Sequence, residues 1–234
     1  LGHDSRITTN HWIICAWAVF RKDLQVELRT RYALGAVLLF AVTTLIAVSA
    51  ALSSTLVHTE VKAALLWIIL LFAALSGLAR VFVREEEAGT APLLRLFAPA
   101  TAVYAGKWLF NIALVFAVEI VSVPLFLVVL PVDDVNYGLL FGVLFLGGAG
   151  LAGASTFVAA LIAQASSGKS ALFFIVAFPV LLPLLLIAVQ GTVGAFDTVA
   201  THQAHSRADL GMLAIYALVM TTVSFLLFEY IWND

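Results

Sequence analysis

Apolar residues fall in six long, nearly uninterrupted runs: Ala33 to Leu52, Ala63 to Ala79, Trp108 to Leu130, Tyr137 to Ala163, Ala171 to Val189 and Leu210 to Ile231. Crossing a hydrocarbon core of about 30 Å takes roughly 20 mostly apolar residues in helical form, so each run predicts one membrane span. A membrane barrel would instead show segments of about ten residues alternating apolar and polar. The predicted fold class is all-α: a polytopic membrane protein of six transmembrane helices. Residues 1–32 form an N-terminal segment and residues 33–234 the transmembrane domain.

Two stretches break the pattern. Before the first run, Ile13, Trp17, Phe20, Leu24 and Leu28 recur at steps of three or four, with Lys22, Gln25 and Arg29 opposite. That periodicity predicts an amphipathic elbow helix lying in the membrane interface, either a plain anchor or a device orienting the first span. Between the second and third runs, Glu85, Glu86 and Glu87 precede Gly89-Thr90-Ala91-Pro92. Thr90 as N-cap and Pro92 in the first turn predict the start of a short helix carrying Leu93, Leu94, Leu96 and Phe97, closed by Pro99. Apolar residues on a loop need lipid or a protein partner to cover them.

Composition agrees with the runs. The chain is 63% hydrophobic and 11% charged, with a mean hydropathy of +1.08, more apolar surface than a soluble domain of 234 residues can hide. The net charge of −2 comes with no basic patch, which argues against a nucleic-acid partner. A single cysteine, Cys15, excludes an intrachain disulfide framework. The first apolar run follows a charged, tryptophan-containing stretch and is followed by others like it, which does not predict a cleaved signal peptide. With the N-terminus inside, ten of the twelve basic residues fall on the cytoplasmic side and only Lys62 and Arg207 outside. Both termini are therefore expected in the cytoplasm.

Several motifs resemble chemistry. Gly148-Ala149-Gly150-Leu151-Ala152-Gly153 spells a dinucleotide fingerprint, but it lies within an apolar run with no strand before it. The glycines instead predict close helix packing. Gly168-Lys169-Ser170 lacks the first glycine of a phosphate loop, since position 163 is Ala163. His202 and His205, with His58 in the other outer loop, suit solvated loop residues better than metal or haem ligands, and no metal site is predicted. Glu119 differs. As the twelfth residue of a 23-residue run it falls near the bilayer midplane, where a carboxylate costs about 2.5–3.5 kcal/mol or more. It is an intramembrane functional candidate, or else a structural residue hydrogen-bonded to Asn111, Ser122 or a neighbouring helix. Pro124, Pro179 and Pro183 predict kinks within spans.

The chain resembles the permease subunits of ABC-2-type exporters, and among them the CcmB (haem exporter protein B) family of cytochrome c maturation. The resemblance is carried by Lys22-Asp23-Leu24 through Glu27-Leu28-Arg29, by Phe82 to Thr90, and by Gly106-Lys107-Trp108-Leu109-Phe110-Asn111. It continues through Phe178-Pro179-Val180-Leu181-Leu182-Pro183-Leu184-Leu185 and ends at Leu227-Phe228-Glu229-Tyr230-Ile231-Trp232. It implies a non-catalytic permease subunit in the bacterial inner membrane, a homodimer within a complex driven by a separate CcmA-like ATPase. CcmC-like and CcmD-like membrane subunits and a CcmE-like haem chaperone are the implied further partners, with membrane lipid around the chain. Haem is the implied transported or handed-over ligand, while no cofactor is expected to reside in the chain. The first cytoplasmic loop, with Glu85, Glu86, Glu87, Gly89, Thr90, Leu93, Leu94 and Phe97, becomes the expected ATPase-coupling element. The alternatives are an ABC-2 permease for a lipid, polysaccharide or drug, and a non-conducting scaffold that transmits ATPase motion to a haem-handling partner.

Overall fold

The computed structural model describes residues 2–30, 32–52, 58–78, 89, 94, 96–132, 134–163, 169–197 and 200–233. Uninterrupted apolar sequence produces helices wherever it occurs. Among the described residues there are seven: α1 (Gly2–Thr30), α2 (Tyr32–Leu52), α3 (Thr59–Leu78), α4 (Ala100–Val129), α5 (Tyr137–Ala163), α6 (Lys169–Ala195) and α7 (Ala200–Asn233). Among the described residues, four segments are long and apolar enough to cross a membrane: Ala100–Val129, Tyr137–Ile162, Ile175–Ala195 and His205–Tyr230. α2 contributes a shorter apolar stretch, Leu38–Ala51. The expected runs coincide with α2 to α7, although α4 starts eight residues before the expected Trp108 and α7 ten before Leu210. Polar residues extend these helices beyond their apolar centres, so hydropathy alone underestimates them.

α4 and α5 are central. α4 packs against α1, α2, α3, α5 and α7, and α5 packs against α3, α6 and α7. The core includes Trp67, Tyr104, Phe126, Phe173 and Phe228, all nearly or fully buried. The expected packing role of the glycines is met at Gly147, where a Cβ would collide with the Trp67 ring. That indole also donates to Thr192 Oγ1 at 2.8 Å, tying α3 to α6. α4 and α6 continue through Pro124 and through Pro179 and Pro183. At the α4–α5 turn, Asn136 caps α5 by accepting from the Leu139 N–H at 3.1 Å. Its own N–H donates to the Ala195 carbonyl, and Lys62 donates to the Pro131 carbonyl. One end of α3, α4, α5 and α6 is thereby fastened together.

α1 is helical as expected, and the face that packs on the bundle is a different one from the apolar face of Ile13, Trp17, Phe20, Leu24 and Leu28. Ala16, Val19 and Glu27 are buried, Phe20 and Leu24 pack in part, and Ile13, Trp17 and Leu28 are exposed. Small residues face α4: Ala16 joins Ala102 and Ala105 in one cluster. Close approach of two helices favours small side chains over large ones, which leaves Ile13, Trp17 and Leu28 on the surface.

Candidate functional site

The expected coupling loop is described only in part. Glu85, Glu86, Glu87, Thr90 and Leu93 lie outside the described residues. Gly89 has φ 65°, a conformation that favours glycine. Leu94, Leu96 and Phe97 are helical, and the Ala98 N–H donates to the Leu94 carbonyl at 3.1 Å. Leu94 turns inward against the core, whereas Leu96 and Phe97 are 79% and 75% exposed. Of the expected coupling residues Leu94 and Phe97, Phe97 therefore faces outward and Leu94 inward, and Leu96 joins Phe97 outside. Pro99 then caps α4 in an extended conformation, and its carbonyl accepts from Ala102. Only Ala98 and Pro99 separate the exposed pair from α4.

Two turns into α4, Gly106 and Lys107 fasten α1. A Cβ on Gly106 would lie 2.6 Å from the Ala16 carbonyl oxygen and 2.7 Å from Val19 Cβ, so only glycine allows this approach. Lys107 was expected among loop cations; it is instead fully buried inside α4. Its Nζ lies 3.3 Å from Asp23 Oδ2, and Asp23 also pairs with Lys22 at 3.3 Å. Trp12 Nε1 donates to Thr101 Oγ1 at 2.9 Å. Sequence reasoning missed this junction. Its one signal was a lone lysine beside Gly106 at the head of a long apolar helix.

Further along the same face of α4 stands a polar layer. Asn111 Nδ2 donates to Thr156 Oγ1 of α5 at 2.7 Å. Glu119 is 7% exposed, and its Oε1 has no hydrogen-bond partner. The hydrogen bond anticipated from Asn111 is therefore spent on Thr156, and Ser122 Oγ has no partner either. Room for the carboxyl comes from Gly148, where a Cβ would sit 2.5 Å from Glu119 Oε1. Beside it a groove of about 440 Å³ opens between α4 and α5, lined by Glu119 and apolar residues only.

At the other end of the bundle, Glu60, Gln190, His205, Ser206 and Asp209 line a cavity of about 410 Å³. His58 and His205 are exposed, and the side chain of His202 lies outside the described residues. Among the described residues no three His, Cys, Asp or Glu side chains converge as metal ligands. The glycine-rich stretch Gly148 to Gly153 lies inside helix α5 and is mostly buried.

The Asp23–Lys107 pair joins two of the sequence blocks that carry the resemblance to the haem exporter B family. A family model described as CcmB protein matches residues 14–229. The chain belongs to the CcmB family. No curated protein matches it. As a CcmB protein it is the multi-pass permease component of the haem-export ABC transporter of cytochrome c maturation. It is not itself an enzyme and works with the CcmA ATPase.

Proposed function

We propose that this CcmB chain receives the ATPase stroke on the turn carrying Leu96 and Phe97 and passes it through α4 as a rigid lever. The observation that carries this reading is the exposure of two large apolar side chains one residue from the cap of a 30-residue helix. Such residues on a cytoplasmic loop suit a groove on the ATPase as anchors. Glu85, Glu86, Glu87, Gly89, Thr90, Leu93 and Leu94 complete the coupling loop on this proposal, the acids favouring the N-terminus of the short helix that begins at Thr90. Because α1 is pinned to α4 at Gly106 and Lys107, residues 1–32 move with the 33–234 permease domain rather than independently.

In the proposed topology α2 to α7 are six spans, with both termini on the cytoplasmic side of the inner membrane. The chain is a homodimer in a complex with CcmC-like and CcmD-like subunits, and its stroke serves haem loading of a CcmE-like chaperone on the outer face. None of the five histidines lies in the interior of an apolar run, which favours transmitted motion over conduction of haem by iron ligation. The test is Leu96→Asp with Phe97→Asp. Two carboxylates desolvated in an apolar groove cost several kcal/mol, so co-purification of CcmA is expected to disappear while membrane insertion survives. Unchanged CcmA binding would mean that the turn rests on lipid instead.

A further inference from the structure

The groove between α4 and α5 holds an acceptor problem that the chain does not solve. Its walls are Phe116, Ile120, Val123 and Pro124 on α4 and Phe141, Leu144 and Phe145 on α5, with Glu119 the one polar side chain. Phe116 stacks on Phe145 at 5.4 Å, and Phe145 on Phe141 at 6.1 Å, so one wall is a stiff aromatic ladder. Glu119 Oε1 is buried and receives no hydrogen bond. One turn on, Pro124 has no N–H to give the carbonyl of Ile120, which also lines the groove. Glu119 therefore places at the edge of a lateral, otherwise apolar groove a carboxyl whose Oε1 no described residue satisfies.

We infer that this groove seats a transmembrane helix of a different membrane subunit, one that presents a donor-bearing side chain such as Asn, Gln, Ser, Thr, Trp, Lys or Arg opposite Glu119. This inference rests on the proposed membership of the chain in a complex with other membrane subunits. Lipid tails carry no donors, and a buried acceptor left unsatisfied in hydrocarbon is costly. A polypeptide meets both requirements, because its helix fills an apolar groove and its side chain supplies the missing N–H or O–H. The same face of a second copy brings seven apolar side chains and another acid, with no N–H and no cation to offset two facing carboxyls. An anionic amphiphile is equally unsuited, since no cation lines the groove to offset Glu119.

The experiment places a photo-crosslinking residue at Phe141, which is 70% exposed at the groove rim, in membranes holding the complete transporter. The adduct is expected to map to a mid-membrane segment of another subunit with a donor side chain within one helical turn. Glu119→Leu is expected to lower its yield about tenfold, in keeping with an intramembrane hydrogen bond of ~1–2 kcal/mol. Glu119→Gln, whose amide oxygen still accepts, keeps it. Because a leucine at 119 could disturb folding, Ile120→Trp serves as the second variant: it fills the groove from an exposed position with Glu119 intact, and is expected to lower the yield as much. Adducts with lipid alone, with a second copy, or with a segment bearing no donor would overturn the inference, as would a yield indifferent to both Glu119→Leu and Ile120→Trp. CcmA recovered undiminished with the variants separates failure of the groove from failure of the coupling turn.

Discussion

Replacing Gly106 by alanine adds one carbon at the tightest contact between α1 and α4. That carbon would lie 2.6 Å from the Ala16 carbonyl oxygen, and ordinary contact begins at 3.4 Å. The obstacle is backbone, which cannot rotate aside, so α1 must retreat by about 0.8 Å. A retreat of that size carries Asp23 from 3.3 Å toward the limit of an ion pair with the buried Lys107. Overpacking of this kind costs about 1–3 kcal/mol, a factor of roughly 5 to 150 between docked and released α1. The assay is disulfide formation between Ala16→Cys and Ala102→Cys, two residues of one buried cluster, in a Cys15→Ala background that removes the native thiol. Gly106→Ala is expected to slow crosslinking at least fivefold while the protein still inserts. An unchanged crosslinking rate would refute the argument, because it would mean that α1 yields without leaving its site.

The buried pair lends itself to a double-mutant cycle. Lys107→Met alone leaves Asp23 half-served by Lys22 and is expected to cost about 2 kcal/mol in detergent unfolding, whereas adding Asp23→Leu restores much of the loss; two additive losses would deny the coupling. Glu119→Gln is expected to insert and assemble but to lower haem loading of the chaperone, since it keeps shape and hydrogen-bonding capacity without the charge; full loading with Gln would reduce Glu119 to a packing residue. For topology, cysteines at Thr90 and Lys169 are expected to be shielded in intact cells from an impermeant thiol reagent, while those at Asp133 and Gln203 react; labelling of the first pair would reverse the orientation.

The helices were legible because their signal is redundant. Every residue of a run such as Leu139 to Leu146 votes the same way, so the all-helical class and the approximate spans survive any local error. The site was legible only where a residue violated its surroundings. Glu119 stood out as an acid in an apolar run, and it is indeed buried at a glycine-lined contact. Its environment was not legible, because Gly148 lies 29 positions away and only the α4–α5 packing brings the two together. Lys107 was taken for a loop cation since hydropathy placed the helix start at Trp108, and its partner Asp23 belongs to another helix. Which leucine of the coupling turn faces outward was not legible for a related reason: one turn of helix decides which leucine faces the core, and periodicity over so few residues cannot set that phase.

The positions of these contacts along α4 bear on how a push at its head would be felt. At 1.5 Å per residue, the head of α4 at Ala100 lies about 16.5 Å from Asn111, and Glu119 about 12 Å beyond it. Asn111 is fixed to α5 by a buried hydrogen bond to Thr156. Past that point Glu119 sits against Gly148 and Phe116 stacks on Phe145 across the same contact. Sliding of α4 along α5 would break the 2.7 Å bond, so tilt about Asn111 is the motion that keeps it. On the proposed coupling, displacement of the head of α4 then swings the Glu119 level in the opposite direction at about three-quarters of the amplitude. The groove beside Glu119 lies on that moving arm, so a helix seated there would be carried by the stroke, and the ATPase could act on a neighbouring subunit without the bundle opening a path through itself.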